Sequence, residues 1–454
     1  MPFVSLNPAT NQLIHTHTSW DSPFLDSALE KSGRVQLVWA KTTFSSRSGI
    51  LRKVAAQLLE QRDRYATLIT LEMGKPIREA RAEVEKCAGT CEYYARNAEE
   101  FLRTETIGSD ATKSYVAYEP LGVVLAVMPW NFPFWQVFRA AVPALMAGSA
   151  VVLKHAPNVP KCALAIEAVF RDGGLPEGVF TNLLIEVEQV AGVIANQHVR
   201  AVTLTGSEAA GRKVAAIAGQ CLKKCVLELG GSDPFVVLHD ADMDLAVGTA
   251  VSSRFLNCGQ SCIAAKRFIL VPLIADEFLG RFKTAVDALK LGDPMLEDTQ
   301  IGPMARADLR DMLHRQITDS ISQGAVAVTG CKPVEREGFF YQPSILDHVT
   351  AKTRAYHEEL FGPVAIVMRA TSEDDALRLA NETRFGLGSS IWSRDAVRAE
   401  QLASRIQAGC TFINGMVKSD SRLPFGGIKS SGYGRELSRL GIHEFVNAKT
   451  VWIR

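Results

Sequence analysis

The segment Asn257-Cys258-Gly259-Gln260-Ser261-Cys262-Ile263-Ala264-Ala265 sets a thiol, Cys262, in a polar, glycine-containing loop ahead of an apolar run. A lone cysteine in a soluble protein is more often a small buried hydrophobe than a nucleophile. A loop of this kind, however, offers a thiol and backbone amides to a cleft, and covalent chemistry there would need a base and an anion hole. Cys225-Val226-Leu227-Glu228-Leu229-Gly230-Gly231 supplies a carboxylate at the end of an apolar strand, with two glycines that let the chain turn or approach a ligand closely. Burial raises a carboxyl pKa toward neutrality and would suit Glu228 to general-base work. A strand-end Glu accepting backbone N–H groups is the plainer alternative, and the segment favours neither. In Pro129-Trp130-Asn131-Phe132-Pro133 the prolines fix the backbone around Asn131, whose amide either donates to an oxyanion or caps the next helix.

A second set of motifs suits a phosphate-bearing ligand. Thr205-Gly206-Ser207-Glu208-Ala209-Ala210-Gly211 follows a strand and opens a helix, so free backbone N–H groups and the helix dipole face whatever sits there. Arg212 occupies the position where a P-loop carries its lysine, and no GxGxxG follows the first strand, so a dinucleotide would bind by a variant of the usual fingerprint. Lys154, closing an apolar strand, is in reach of a ribose or phosphate, or is a surface lysine. Glu359 and Phe361, in Glu358-Glu359-Leu360-Phe361-Gly362-Pro363, either hold a ribose and a planar ring or cap and pack.

The surrounding sequence must position these groups. From about Ser27 to Glu100 apolar residues recur at helical spacing. From Leu121 short apolar runs alternate with amphipathic stretches, with helices predicted near Val137–Met146, Cys162–Phe170 and Ala209–Ala218, which argues for a parallel, doubly wound sheet. After Gly231 the alternation restarts, with helices around Leu245–Phe255 and Ala275–Leu291 flanking a strand at Phe268–Val271. Because one sheet holding every strand would exceed the usual size, a second α/β unit begins near Gly230-Gly231. Residues 103–120 and 446–454 read as strands outside the main core, of the kind that pair with another subunit.

Composition narrows the function class. The 454 residues are 47% hydrophobic, enough to exclude disorder as the dominant state, and 50 Lys and Arg balance 49 Asp and Glu, leaving no basic field for nucleic acid. Nine cysteines without a CxxC pair or a Cys/His zinc pattern suggest reduced thiols and no metal site. Neither an export signal nor a membrane-length apolar stretch is visible, so a cytoplasmic location and a small-molecule substrate are expected.

Taken in order, PWNFP, LK, TGSxxxG, LELGG, GQSC, EELFGPV, PFGG at 424–427 and SGYGRE resemble the NAD(P)-dependent aldehyde dehydrogenase superfamily from about residue 5 to the C-terminus. The resemblance implies an α/β fold with a Rossmann-like cofactor domain, an α/β catalytic domain and a small β element that joins subunits into a homodimer or homotetramer. On it, residues 1–102 and 121–230, with part of 430–445, form the cofactor domain, 231–429 the catalytic domain, and 103–120 with 446–454 the oligomerisation strands. Cys262 is then the nucleophile, Asn131 and the Cys262 backbone amide the oxyanion hole, and Glu228 the base. Trp130, Lys154, Gly206, Ser207, Glu359 and Phe361 line the cofactor. The implied reaction is thiohemiacetal formation, hydride transfer to the nicotinamide, and hydrolysis of a thioester. Glu228 favours acid over acyl-CoA formation, because members that transfer to coenzyme A generally lack it.

Two departures and one match bear on specificity. Many members carry a carboxylate three residues after the lysine; here Pro157 stands there, in Lys154-His155-Ala156-Pro157-Asn158. Its loss removes repulsion of a 2′-phosphate, so NADP is favoured over NAD, with Pro157 and Asn158 beside it. Cys262-Ile263 lacks the second cysteine of some relatives, leaving Cys258 as the other pairing. Arg139 matches an arginine that holds the substrate carboxylate in succinate-semialdehyde dehydrogenases, as Ser419 matches a carboxylate-binding serine, and Trp135 lines the channel or packs in the core. A second arginine of those enzymes is replaced by Leu256, so Arg139, Arg422 or Lys418 is expected to carry the charge. Bidentate guanidinium recognition makes Arg139 the first choice. The implied substrate is succinate semialdehyde, with glutarate semialdehyde or an aliphatic aldehyde as the alternative. A cofactor-independent thiol esterase and a non-catalytic binding protein are the readings from other classes.

Overall fold

The computed structural model describes residues 3–454 and contains two large sheets, whose connecting segments line one cleft. The first is ordered Gly432–Tyr433, Lys224–Glu228, Val199–Thr205, Val123–Met128, Ala150–His155, Phe180–Asn182, with every pairing parallel except the first. Its central strands are apolar on both faces because helices cover both, and Val123, Val124, Leu125 and Ala126 are all buried. From Val123–Met128 the chain steps to Ala150–His155 and Phe180–Asn182, then returns to lay Val199–Thr205 on the other side. That reversal opens a crevice at the strands' carboxyl ends, where residues 129–133 and Gly206-Ser207 emerge.

The helix Trp135–Ala147 lies between this sheet and the helix Ile77–Phe101, which explains why all its residues are buried. Ile77–Phe101 follows a simpler rule. Ala80, Val84, Cys87, Cys91, Tyr94 and Ala98 recur every three or four positions and form the buried stripe.

The second sheet is ordered Val326–Thr329, Ser344–Asp347, Val364–Arg369, Ala265–Leu270, Asp233–Val237, Gly388–Trp392, Cys410–Ile413, and is parallel except at its first pair. The chain passes between the sheets at residues 229–232. The first sheet presents carboxyl ends to the cleft and the second presents amino ends, since Cys262 precedes Ala265–Leu270 and Glu359 precedes Val364–Arg369.

Lys113–Pro120 pairs along its whole length with Val446–Ile453 and also with Glu105–Thr106, a small sheet separate from the other two. The predicted helix Ala275–Leu291 is shorter than expected, ending at Asp287, because Leu291 forms a bridge to Ile301 and Lys290 accepts N–H bonds from Gln300 and Ile301. Among the described residues no helix is long and apolar enough to cross a membrane.

Candidate active site

The loop before Cys262 is held in an uncommon backbone shape. Asn257 and Cys258 have φ of 53° and 54°, and Gly259 follows at 68°. A left-handed non-glycine residue costs of order 1 kcal/mol or more, so neighbouring groups must enforce the shape. Arg254, fully buried, donates to the carbonyls of Val364 (2.7 Å), Leu360 (3.0 Å) and Gly362, tying the loop to the Glu359–Phe361 segment. A Cβ at Gly259 would stand 2.4 Å from the Gly362 carbonyl oxygen, so only glycine fits. Glu79 accepts the Asn257 N–H at 2.7 Å, and Lys266 Nζ donates to the carbonyls of Ser261 and Cys262, each at 2.8 Å.

Cys262 is half-buried and borders a cavity of about 400 Å³. Burial pushes its thiol up to about 12, against the pull of Arg139 and Lys266. In the ligand-free protein the thiol is therefore protonated at neutral pH. Alkylation of Cys262 by iodoacetamide, followed by peptide mass spectrometry, is expected to accelerate about tenfold per pH unit between pH 7 and 10, because only the thiolate reacts. A rate that levels off near pH 7 would show a thiol already ionised.

Asn131 is buried, donates through Nδ2 to the Gln260 carbonyl (3.1 Å), and has its own carbonyl bound by Asn257 Nδ2 (2.7 Å). One amide hydrogen of Nδ2 remains for another acceptor. Glu228 lies at the last register position of its strand, opposite Thr205, and neither carboxyl oxygen has a hydrogen-bond partner. Burial, then repulsion from Glu436, hold its carboxyl well above the ordinary range, while Arg139 and Arg435 pull it down. A Cβ at Gly426 would lie 2.7 Å from Glu228 Oε1, which accounts for a glycine of the PFGG motif. Glu228 is also near enough to Cys262 to oppose its ionisation.

On the cofactor side, Lys154 is buried at the carboxyl edge, in register with Val127, and donates to the His155 carbonyl at 3.0 Å. His155 joins this edge to the Asn131 loop. Its Nδ1 accepts the Ala156 N–H and its Nε2 donates to the Pro133 carbonyl (2.9 Å), and burial lowers its pKa to about 4, keeping it neutral. Ser207 caps the helix Glu208–Gln220 by accepting the Ala210 N–H, leaving the first turn exposed beside Gly206. Asn158 has both side-chain polar atoms buried without a partner, which fits a ligand that supplies the missing donors and acceptors. Glu359 accepts from the Gly231 N–H and from Lys266, both at 3.1 Å, and Phe361 meets Trp130 edge-on at 5.8 Å. These groups suit a dinucleotide, with no carboxylate at Pro157 to repel a 2′-phosphate.

The cavity at Cys262 contains several charges that sequence reasoning overlooked. Trp135 and Arg139, four apart on one helix, both line it. The Arg139 guanidinium is already engaged: it pairs with Glu436, donates to Thr205 Oγ1 (3.3 Å) and stacks on Phe425 at 4.7 Å. Glu79, Glu83 and Lys86 line the cavity from one face of Ile77–Phe101. Glu83 pairs with buried Lys75 and accepts the N–H groups of Phe134 and Trp135, so it caps the helix that carries Arg139. Ser419 is buried at the cavity wall, and Leu256 also lines it. Arg422 corrects one expectation: its exposed guanidinium is clamped by Asp420 through two bonds of 2.8 and 2.6 Å and does not line the cavity. Lys418 does line it but is exposed. All nine cysteines are free, and Cys258 is buried.

The model of the aldehyde dehydrogenase family matches residues 2–451, and the chain belongs to that family. It is 49% identical over 453 residues, all of both chains, to the probable NADP(+) succinate-semialdehyde dehydrogenase of Synechocystis. It is 46% identical over 449 residues to the NAD(P)+ succinate semialdehyde dehydrogenase Sad of Escherichia coli, covering 99% of this chain and 97% of that one. A solved structure of succinic semialdehyde dehydrogenase from Streptococcus pyogenes in complex with NADP+ superposes with a TM-score of 0.98 at 38% identity, over 99% of each chain.

Proposed function

We propose that this aldehyde dehydrogenase oxidises succinate semialdehyde to succinate with NADP, NAD serving less well. The observation that carries the chemistry is the half-buried Cys262, at the edge of a cavity of about 400 Å³, within electrostatic reach of Glu228, a buried carboxyl free of hydrogen bonds. The substrate follows from the cations on the cavity wall and from the relatives' shared activity.

The Cys262 thiol gives up its proton to solvent water, the thiolate Sγ attacks the aldehyde carbon, and the resulting oxyanion is received by the Cys262 backbone N–H and the spare Nδ2 hydrogen of Asn131. NADP, when bound, would supply the hydride acceptor that converts the thiohemiacetal on Cys262 to a thioester. Glu228 then takes a proton from water, the hydroxide oxygen adds to the thioester carbon, and the C–S bond breaks; the departing sulfur takes the proton from Glu228, which restores the thiol and the carboxylate and releases succinate. Lys154, Asn158, Gly206, Ser207 and Glu359 would hold the dinucleotide, and Trp130 and Phe361 would pack against it. Arg139, Ser419 and Trp135 wall the space for the substrate's carboxylate. The enzyme is read as a cytoplasmic homodimer or homotetramer joined through the small sheet, whose Trp452 and Ile453 are half exposed.

The test is the appearance of reduced cofactor with succinate semialdehyde, glutarate semialdehyde and butyraldehyde, each with NADP and NAD. A clear preference for succinate semialdehyde with NADP is expected. Equal rates on the carboxylated and uncarboxylated aldehydes would remove the substrate assignment, and aldehyde-independent ester hydrolysis alone would leave a thiol esterase. Cofactor choice has its own variant. Pro157→Glu returns a carboxylate beside the adenosine ribose, and is expected to lower kcat/KM for NADP about tenfold or more while sparing NAD. An unchanged NADP-to-NAD ratio would move the 2′-phosphate away from Pro157.

A further inference from the structure

The cations around the cavity are not equally available to an incoming anion. Of the four that line it, Arg139 is paired with Glu436, and Arg78 and Lys418 are exposed to solvent. Lys86 differs. Among the described residues it has no carboxylate at ion-pair distance; its Nζ donates to Ser419 Oγ at 2.7 Å and lies 4.0 Å from the centre of the Trp135 ring. Ser419 accepts that bond, so its own hydroxyl hydrogen is left to donate. A second bond, 2.8 Å between Thr90 and Ser421, fixes the helix to the same segment one turn on. The half-buried ammonium and the buried hydroxyl thus present two convergent donors to the cavity that holds Cys262.

We infer that Lys86, with Ser419, receives the carboxylate of the substrate, beside an Arg139 whose charge is shared with Glu436. The inference rests on the proposed oxidation of a carboxylated aldehyde and names the residue that selects it. It also accounts for Leu256: with an ammonium available on the helix Ile77–Phe101, a second arginine before the nucleophile is not needed. An ammonium makes hydrogen bonds without the fixed fork of a guanidinium, which suits a carboxylate shared with a serine.

The charged and titratable groups facing Lys86 are Glu83 and Cys87 on its own helix, Arg139 on the helix Trp135–Ala147, and Asp420 beside Ser419. Burial, then Arg139, lower the Lys86 pKa to about 8. Above that pH the ammonium loses its proton and with it the attraction for an anion. KM for succinate semialdehyde is therefore expected to rise above about pH 8, with no matching rise for butyraldehyde.

The test compares wild type, Lys86→Gln and Lys86→Arg on succinate semialdehyde and butyraldehyde, with succinate as a dead-end inhibitor of butyraldehyde oxidation. In Lys86→Gln, kcat/KM for succinate semialdehyde is expected to fall about 10- to 100-fold, chiefly through KM, and the preference over butyraldehyde to fall at least about tenfold. Succinate inhibition should weaken by a similar factor. Lys86→Arg is expected to keep the preference and to abolish the rise in KM above pH 8. Equal losses on both aldehydes, or succinate inhibition unchanged in Lys86→Gln, would overturn the assignment. A wild type without preference for succinate semialdehyde, but with succinate inhibition that weakens in Lys86→Gln, would overturn the proposed substrate and leave Lys86 as the carboxylate site.

Discussion

Cys262→Ala is expected to lose aldehyde oxidation by about 10⁴-fold or more while keeping its fold and its affinity for NADP. No neighbouring group can take over. Cys258 is buried with its thiol pushed far up, and Ser261 is buried and carries a hydroxyl, a far weaker nucleophile than a thiolate. The fold should tolerate the change, because the side chain is small, half-buried and has no hydrogen bond of its own to lose. The bonds that shape the loop, from Arg254, Glu79 and Lys266, end on backbone atoms or on Asn257 and remain in the variant. Steady-state assays give the rate, quenching of tryptophan fluorescence by NADP gives binding, and thermal denaturation checks the fold. Undiminished oxidation would remove Cys262 as nucleophile, and loss of NADP binding would show that the thiol supports the cofactor crevice instead.

What the sequence made legible was what lies at the ends of strands. Asn131, Lys154 and Glu228 follow runs so apolar that their position at a sheet's carboxyl edge could be read directly, and Cys262 announced itself by its glycine-containing loop. The two sheets were visible for the same reason. Groups that act from the sides of helices were not. Lys86, Glu83 and Glu79 fall at helical spacing among ordinary surface charges such as Glu85 and Glu92, and nothing local distinguishes the face that meets the cavity from the face that meets water. A helix of 25 residues whose apolar stripe is interrupted on one flank by an acid, an acid and a base at positions 79, 83 and 86 was the available signal.

The partners of the arginines were hidden for a related reason. Arg139 lines the cavity as its position suggested, and the carboxylate it pairs with, Glu436, lies almost 300 residues away in a motif, SGYGRE, whose glutamate had no assigned partner. Arg254 and Arg267, both fully buried and each donating to three or more carbonyls, look like helix and strand surface charges until the loops they bind are brought beside them. Long-range pairing of this kind depends on tertiary contacts that no local pattern encodes.

Glu228→Gln separates the two halves of the proposed reaction. The variant is expected to release about one equivalent of reduced cofactor per site in a rapid first turnover and then to slow by about 10²- to 10⁴-fold, with a thioester persisting on the Cys262 peptide. The sign of the pH effect follows from the environment. Burial and Glu436 hold the Glu228 carboxyl well above the ordinary range, and a base works only when deprotonated, so the wild-type steady-state rate should climb with pH through that raised value; in the variant the climb should vanish. Stability should move the other way. A carboxyl whose folded pKa is raised contributes its full stabilisation below the unfolded value of about 4.3 and loses it as pH rises toward the folded one, so at pH 8 Glu228 costs stability that an uncharged Gln does not. The variant is therefore expected to melt a few degrees above wild type at pH 8, with the gap closing toward pH 5. A missing first-turnover burst would place Glu228 at activation of the Cys262 thiol, since a base needed only to hydrolyse the thioester cannot slow the step that forms it.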